Sequence, residues 1–120
     1  MGFPAVFAIV VGLGMIGQWT MSYAAKQIPE LQTEPYRIGF HITGEMTTAI
    51  LLLVAGVSLL LLTPWAPAVY LIAMGMLFYT AVVSPGYFAQ KGQWVWVLIF
   101  GVLIILAIIC VVMVGSGISL

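Results

Sequence analysis

"AIVVGLGMIGQ", residues 8–18, sets Gly12, Gly14 and Gly17 at the G-x-G-x-x-G spacing behind an apolar run, and it admits two readings that lead to different folds. In one, it is the turn between a strand and a helix that cradles a dinucleotide pyrophosphate. That turn works only inside a parallel sheet, with a crossover helix within about thirty residues and further βαβ units after it. In the other, it is part of a helix whose small residues let a second backbone come close. The surrounding chain decides between them.

The chain has 120 residues, 64% of them apolar and 5% charged. Ordinary soluble domains carry about 25% charged residues, so most of this surface needs a solvent other than water, and the partner that supplies it is the lipid bilayer. The charged residues are Lys26, Arg37 and Lys91 against Glu30, Glu34 and Glu45, a formal balance of zero, with neither Asp nor Asn present. There is no basic stripe for a nucleic acid partner. The single cysteine, Cys110, has no intrachain disulfide partner and reads as a packed or lipid-facing thiol.

Crossing a bilayer core takes about 20 apolar residues in a helix. Four stretches meet that length, at about residues 4–25, 38–62, 67–83 and 94–115. "KQIPELQTEPYR", "TPWAP" and "SPGYFAQKG" separate them, each with a proline where a helix should start or stop. Linkers this short force successive helices to lie antiparallel. The predicted fold is a single all-α domain over 1–120, a four-helix transmembrane bundle of up-down-up-down topology.

No sheet can be assembled beyond residue 37, so the dinucleotide reading fails, and the position of Glu34 some twenty residues after Gly14, where a ribose-binding acid would sit, is a coincidence. On a helix, Gly14 and Gly17 share a face with Gln18, Met21 and Ala25, and we expect that face, with Gly44 on the second helix, to be a packing surface. "SYA" at 22–24 resembles a signal-peptide cleavage site, but the charged leader is missing and the apolar stretch is too long. The first helix is expected to be permanent.

Lys26 and Arg37 flank the first linker and Lys91 lies in the third, whereas the second linker has no basic residue. By the positive-inside rule, linkers 26–37 and 84–93 face the cytoplasm and both termini face out, in a prokaryotic plasma membrane. Trp65, Tyr87, Phe88 and Trp94 suit the aromatic belts at the two interfaces.

The stretch that bears on chemistry is "YRIGFHITGEMTT", residues 36–48. Arg37, His41 and Glu45 recur at four-residue spacing with Gly44 and Thr48 beside them, so on a helix they form one polar stripe about 12 Å long. Ionisable groups inside a membrane cost about 2.5–3.5 kcal/mol on insertion scales and turn toward the bundle interior or a water-filled cavity. In the plainest reading the three side chains satisfy one another, with Arg37 reaching the headgroups and Glu45 bonded to Gln18, Ser22, Tyr79 or Thr80.

Three functional readings compete with that one. Glu45 and His41, with Arg37, Thr48, Gln18 and Tyr79 around them, could form a ligand-binding or proton-linked site for a small cation or amphipathic substrate, in a homo-oligomer that encloses a pathway. His41 and Glu45 could ligate a metal, or His41 a haem, with ligands completed by another subunit. The chain could also be an accessory subunit whose glycine faces dock on a larger membrane partner. No cofactor is called for, and with no G-x-S-x-G or Ser-Lys arrangement an enzyme is the weaker expectation.

"RIGFHITGEMTTAILLLVAGVSLL" together with "GMLFYTAVVSPGYFAQKGQW" resembles small, uncharacterised four-helix membrane proteins of bacteria and archaea, in which a His and a Glu open the second helix and Tyr-Thr and Ser-Pro-Gly close the third. The resemblance implies the fold and names no activity. Small multidrug-resistance transporters also use one membrane Glu, but theirs is in the first helix and Glu45 lies in the second, so their function is not carried over.

Overall fold

The computed structural model describes residues 2–26 and 28–117, with the side chains of Glu30 and Tyr87 outside that description. Every regular element among them is helical: α1 (Gly2–Ala24), α2 (Glu30–Thr33), α3 (Pro35–Leu60), α4 (Ala66–Val83), α5 (Pro85–Gln90) and α6 (Trp94–Ser116). α1, α3, α6 and the run from α4 through α5 are each long and apolar enough to cross a membrane. Large apolar side chains such as Val10, Leu13, Ile50, Ile72, Val95 and Ile105 are turned outward. The molecule measures 45 × 25 × 19 Å, and its long dimension matches a bilayer with headgroups, about 40–45 Å. This is the construction of an integral membrane protein.

α1 packs on α3, α3 on α4, α4 on α6, and α6 closes the ring against α1 over a smaller area. The tightest seam is α1–α3, where two glycines remove the side chains that would hold the backbones apart. A Cβ on Gly12 would lie 2.9 Å from the Ala49 carbonyl, and one on Gly56 would lie 2.8 Å from the Ala5 carbonyl. At Gly14, Gly17 and Gly44, by contrast, an added Cβ would meet nothing within 4 Å. Within this chain, then, the close approach is made by Gly12 and Gly56, and the three glycines expected to pack look outward.

Ala5, Ala8, Ala49, Leu52 and Ala55 fill the rest of that seam. Across the bundle, the fully buried Tyr70 of α4 donates its hydroxyl to the Pro4 carbonyl of α1 at 2.9 Å, and Cys110 of α6 lies against the same hydroxyl. One side chain thus ties three helices together near the end that holds the α3–α4 turn. Cys110 is buried, as a packed thiol should be.

Two linkers depart from the loops expected. The first contains α2, and α3 starts at Pro35, about one turn earlier than the apolar pattern indicates, because proline at the first helical position gives up only an N–H that has no partner there. Pro85-Gly86, in the linker expected between the third and fourth spans, instead opens α5: Ser84 keeps helical angles (φ −62, ψ −36), so the backbone passes from α4 into α5 in helical conformation. α5 ends on Gly92 (φ 72), where the Gln93 amide donates to the Phe88 carbonyl at 2.9 Å in a left-handed cap. Phe88, expected in the interfacial belt, is turned onto α6 and stacks on Trp96 and Phe100, with ring centroids 5.4 and 6.0 Å away. Trp65 and Trp94 remain exposed, as belt residues would be, and the side chain of Tyr87 lies outside the described residues.

Candidate functional site

Glu45 follows the start of α3 by about 15 Å at 1.5 Å per residue, which puts it well inside an apolar core about 30 Å thick. Its side chain is 7% exposed, and it is the one charged residue in the buried core among those described. His41, one turn nearer the helix start, brings Nε2 to 3.6 Å from Glu45 Oε1. The Ser84 hydroxyl, at the junction of α4 and α5, donates to the same oxygen at 3.3 Å. From α1, Trp19 sets its indole edge-on to the imidazole (centroids 5.7 Å apart, 69° between planes) and within hydrogen-bonding reach of the carboxylate. Three helices therefore converge on one carboxyl group.

Arg37 does not join them. Its guanidinium is 82% exposed and lies 3.4 Å from Glu34 Oε1, just ahead of the helix. The four-residue spacing does align Arg37 with His41, but a long cationic side chain in a first helical turn keeps its hydration by staying at the water-facing end, and Glu34 is already there. The expected stripe is split into a wet Glu34–Arg37 pair and a His41–Glu45 pair in which Glu45 is buried and His41 stays partly exposed.

Two cavities meet at the His41–Glu45 pair. One, about 620 Å³, opens among the four long helices at the end where the first and third linkers gather; Gln18, Ser22, Glu34 and Arg37 surround its mouth, and Leu77 and Leu103 line it with His41 and Glu45. The other, about 650 Å³, is a groove along the α3–α4 seam, lined by Thr48, Gly44, Gly75 and Tyr79. His41, Glu45, Thr80 and Val83 line both and form the partition between them. Arg37, His41, Glu45, Thr48, Gln18 and Tyr79 are thus all placed on one cavity or the other.

Gln18, Ser22, Tyr79 and Thr80 are the partners the sequence suggests for Glu45; Ser84 donates to it instead, with Trp19 nearby. Thr48 and Thr80 donate to their own helix, to Gly44 O at 2.8 Å and Leu77 O at 3.1 Å, leaving lone pairs free to face the cavities. Ser84 was foreseeable at this level from "YTAVVSPGYF". Trp19 gave no signal, because an aromatic in an apolar run reads as lipid-facing. For a metal, His41 and Glu45 supply two ligands, and no group of three His, Cys, Asp or Glu occurs among the described residues; the remaining ligands would have to come from elsewhere.

The model of a domain of unknown function, DUF8058, matches residues 2–116. The chain belongs to that family. The DUF8058 match spans all four long helices, so the His41–Glu45 pair and both cavities lie within the family's domain. No curated protein and no solved structure matches the chain.

Proposed function

We propose that this DUF8058 protein binds a small ligand at the His41–Glu45 pair and links that binding to protonation of the pair. The observation that carries the reading is the position of Glu45: inside the apolar zone, yet on the wall of two cavities. A carboxylate retained only to hold helices together gains most where it is fully enclosed by donors, since each unpaired oxygen in hydrocarbon is costly. Glu45 has one hydroxyl, one imidazole and one indole around it, and open volume beyond them. Cavities of about 300–1,000 Å³ are the usual size for small-molecule sites. In the same reading, linkers 26–37 and 84–93 lie in the cytoplasm, so the mouth bordered by Glu34 and Arg37 faces inward.

A second reading, an accessory or self-associating subunit, has its own support in the outward faces of Gly14, Gly17 and Gly44, where a partner helix could approach closely. The two are compatible, because oligomerisation would close the α3–α4 groove.

A hydrophobic carbodiimide reacts with protonated carboxyl groups and reaches those inside membranes. Dicyclohexylcarbodiimide applied to the protein in lipid nanodiscs should modify Glu45, read by peptide mass spectrometry, and faster at low pH than at high pH. Glu45→Gln should remove the adduct from that peptide, and His41→Gln should move the pH profile. Modification of Glu34 with none at Glu45 across the pH range would contradict the proposal.

A further inference from the structure

Resting on the ligand-site reading above, we propose that the ligand is a monovalent organic cation with an apolar body, a quaternary or protonated amine, and that its binding expels the proton held by the His41–Glu45 pair. The charge pattern of the cavity among the four long helices points this way. At its mouth Glu34 and Arg37 pair with each other and cancel. At its deep end Glu45 is left with His41 as its one titratable neighbour. With the imidazole neutral, the deep end carries one negative charge in a medium where that charge is poorly solvated, and a single positive charge is what it lacks.

The walls select the kind of cation. A hard metal ion takes about six oxygen ligands, and the deep end offers the Glu45 carboxylate with the hydroxyls of Ser84 and Thr80. Trp19, Phe88 and Phe100 line the same cavity and supply aromatic surface that attracts an alkylammonium and covers its apolar body. An anion would meet Glu45, and its best counter-charge, Arg37, is already paired. The groove on the α3–α4 side, across the same partition, gives an apolar tail a place facing lipid if those side chains part.

The proton follows from charge balance. One proton on the pair, on either partner, cancels the charge the cation needs, so one positive charge enters as ammonium and one leaves as H⁺. Nothing else near the pair takes over that exchange. α1 presents Trp19 and Gln18, α4 presents Thr80 and Tyr79, and α6 presents Phe100 and Leu103; of these only the Tyr79 phenol titrates, and it lies on the groove side. The cation should therefore bind more tightly as pH rises through the titration of the pair.

The test is calorimetric titration of phenyltrimethylammonium into the protein in lipid nanodiscs, in two buffers of different ionisation enthalpy, beside its neutral isostere tert-butylbenzene. The expected result is saturable ammonium binding that releases up to one proton, with the isostere about tenfold weaker. Glu45→Gln should weaken the ammonium by about tenfold or more and remove the proton release. Should that variant misfold, Trp19→Leu should weaken the ammonium by about threefold to tenfold and leave the isostere unchanged. Equal binding of ammonium and isostere, undiminished binding by the folded Glu45→Gln protein, or no ammonium binding at all would overturn the inference. If carbodiimide still modifies Glu45 in a pH-dependent way, only the ligand class falls; if it does not, the site reading falls with it.

Discussion

Gly56→Leu should destabilise the bundle by about 3 kcal/mol. The first atom of the new side chain would lie 2.6 Å from Ile9 Cγ1 and 2.8 Å from the Ala5 carbonyl. Ile9 can rotate away, but the carbonyl belongs to α1, so relief requires the two helices to separate. Separation forfeits the contacts of Ala5, Ala8, Ala49, Leu52 and Ala55, and in lipid those van der Waals contacts are the main force joining helices. The matched control is Gly101→Leu on α6, where an added Cβ meets nothing within 4 Å; it should change stability by less than about 0.5 kcal/mol. Unfolding in mixed micelles or by steric trapping reads both. Equal behaviour of the two variants would contradict the packing described.

Tyr70→Ala should cost about 3–5 kcal/mol by the same measurement. Tyr70 is the largest of the fully buried side chains and fills the space between α1, α4 and α6. Truncation leaves a cavity that helices pinned by their neighbours can close only in part. It also removes the hydroxyl from the Pro4 carbonyl. Tyr70→Phe separates the two contributions: it keeps the volume and loses the hydrogen bond, so it should cost about 1 kcal/mol. If the two variants proved equally destabilising, the hydrogen bond and not the volume would be the source of stability at this position.

The spans were legible in the sequence because length and apolarity determine them almost alone, and the same reasoning disposed of the dinucleotide turn. The rotation of each helix about its axis was not legible. α1 is apolar on all sides, so no periodicity distinguishes the face of Gly12 from that of Gly14 and Gly17, and the partner that chooses is α3 through Gly56, far away in sequence. α3 could be oriented in part, because a carboxylate in an apolar helix must avoid lipid, and of the expected stripe Glu45 is the residue that turns inward. Arg37 shows the limit of that logic: spacing aligned it with the pair, while hydration and a nearer carboxylate held it at the surface. Ser84 and Trp19 come from other helices, and only the packed bundle brings them to the carboxylate.

The central claim is that water-accessible volume reaches a carboxylate inside the apolar zone. Thr80 lines both cavities beside Glu45, whereas Val82, 66% exposed, faces outward on the same helix. In a background in which the buried Cys110 is replaced by alanine, Thr80→Cys and Val82→Cys can be compared for reaction with a charged, water-borne methanethiosulfonate, which requires both access and a thiolate. The account predicts that the thiol at position 80 reacts about tenfold faster or more than the one at 82, and that phenyltrimethylammonium slows it. A thiol at position 80 as inert as the lipid-facing one would mean that the His41–Glu45 pair sits in a dry core and only holds the bundle together.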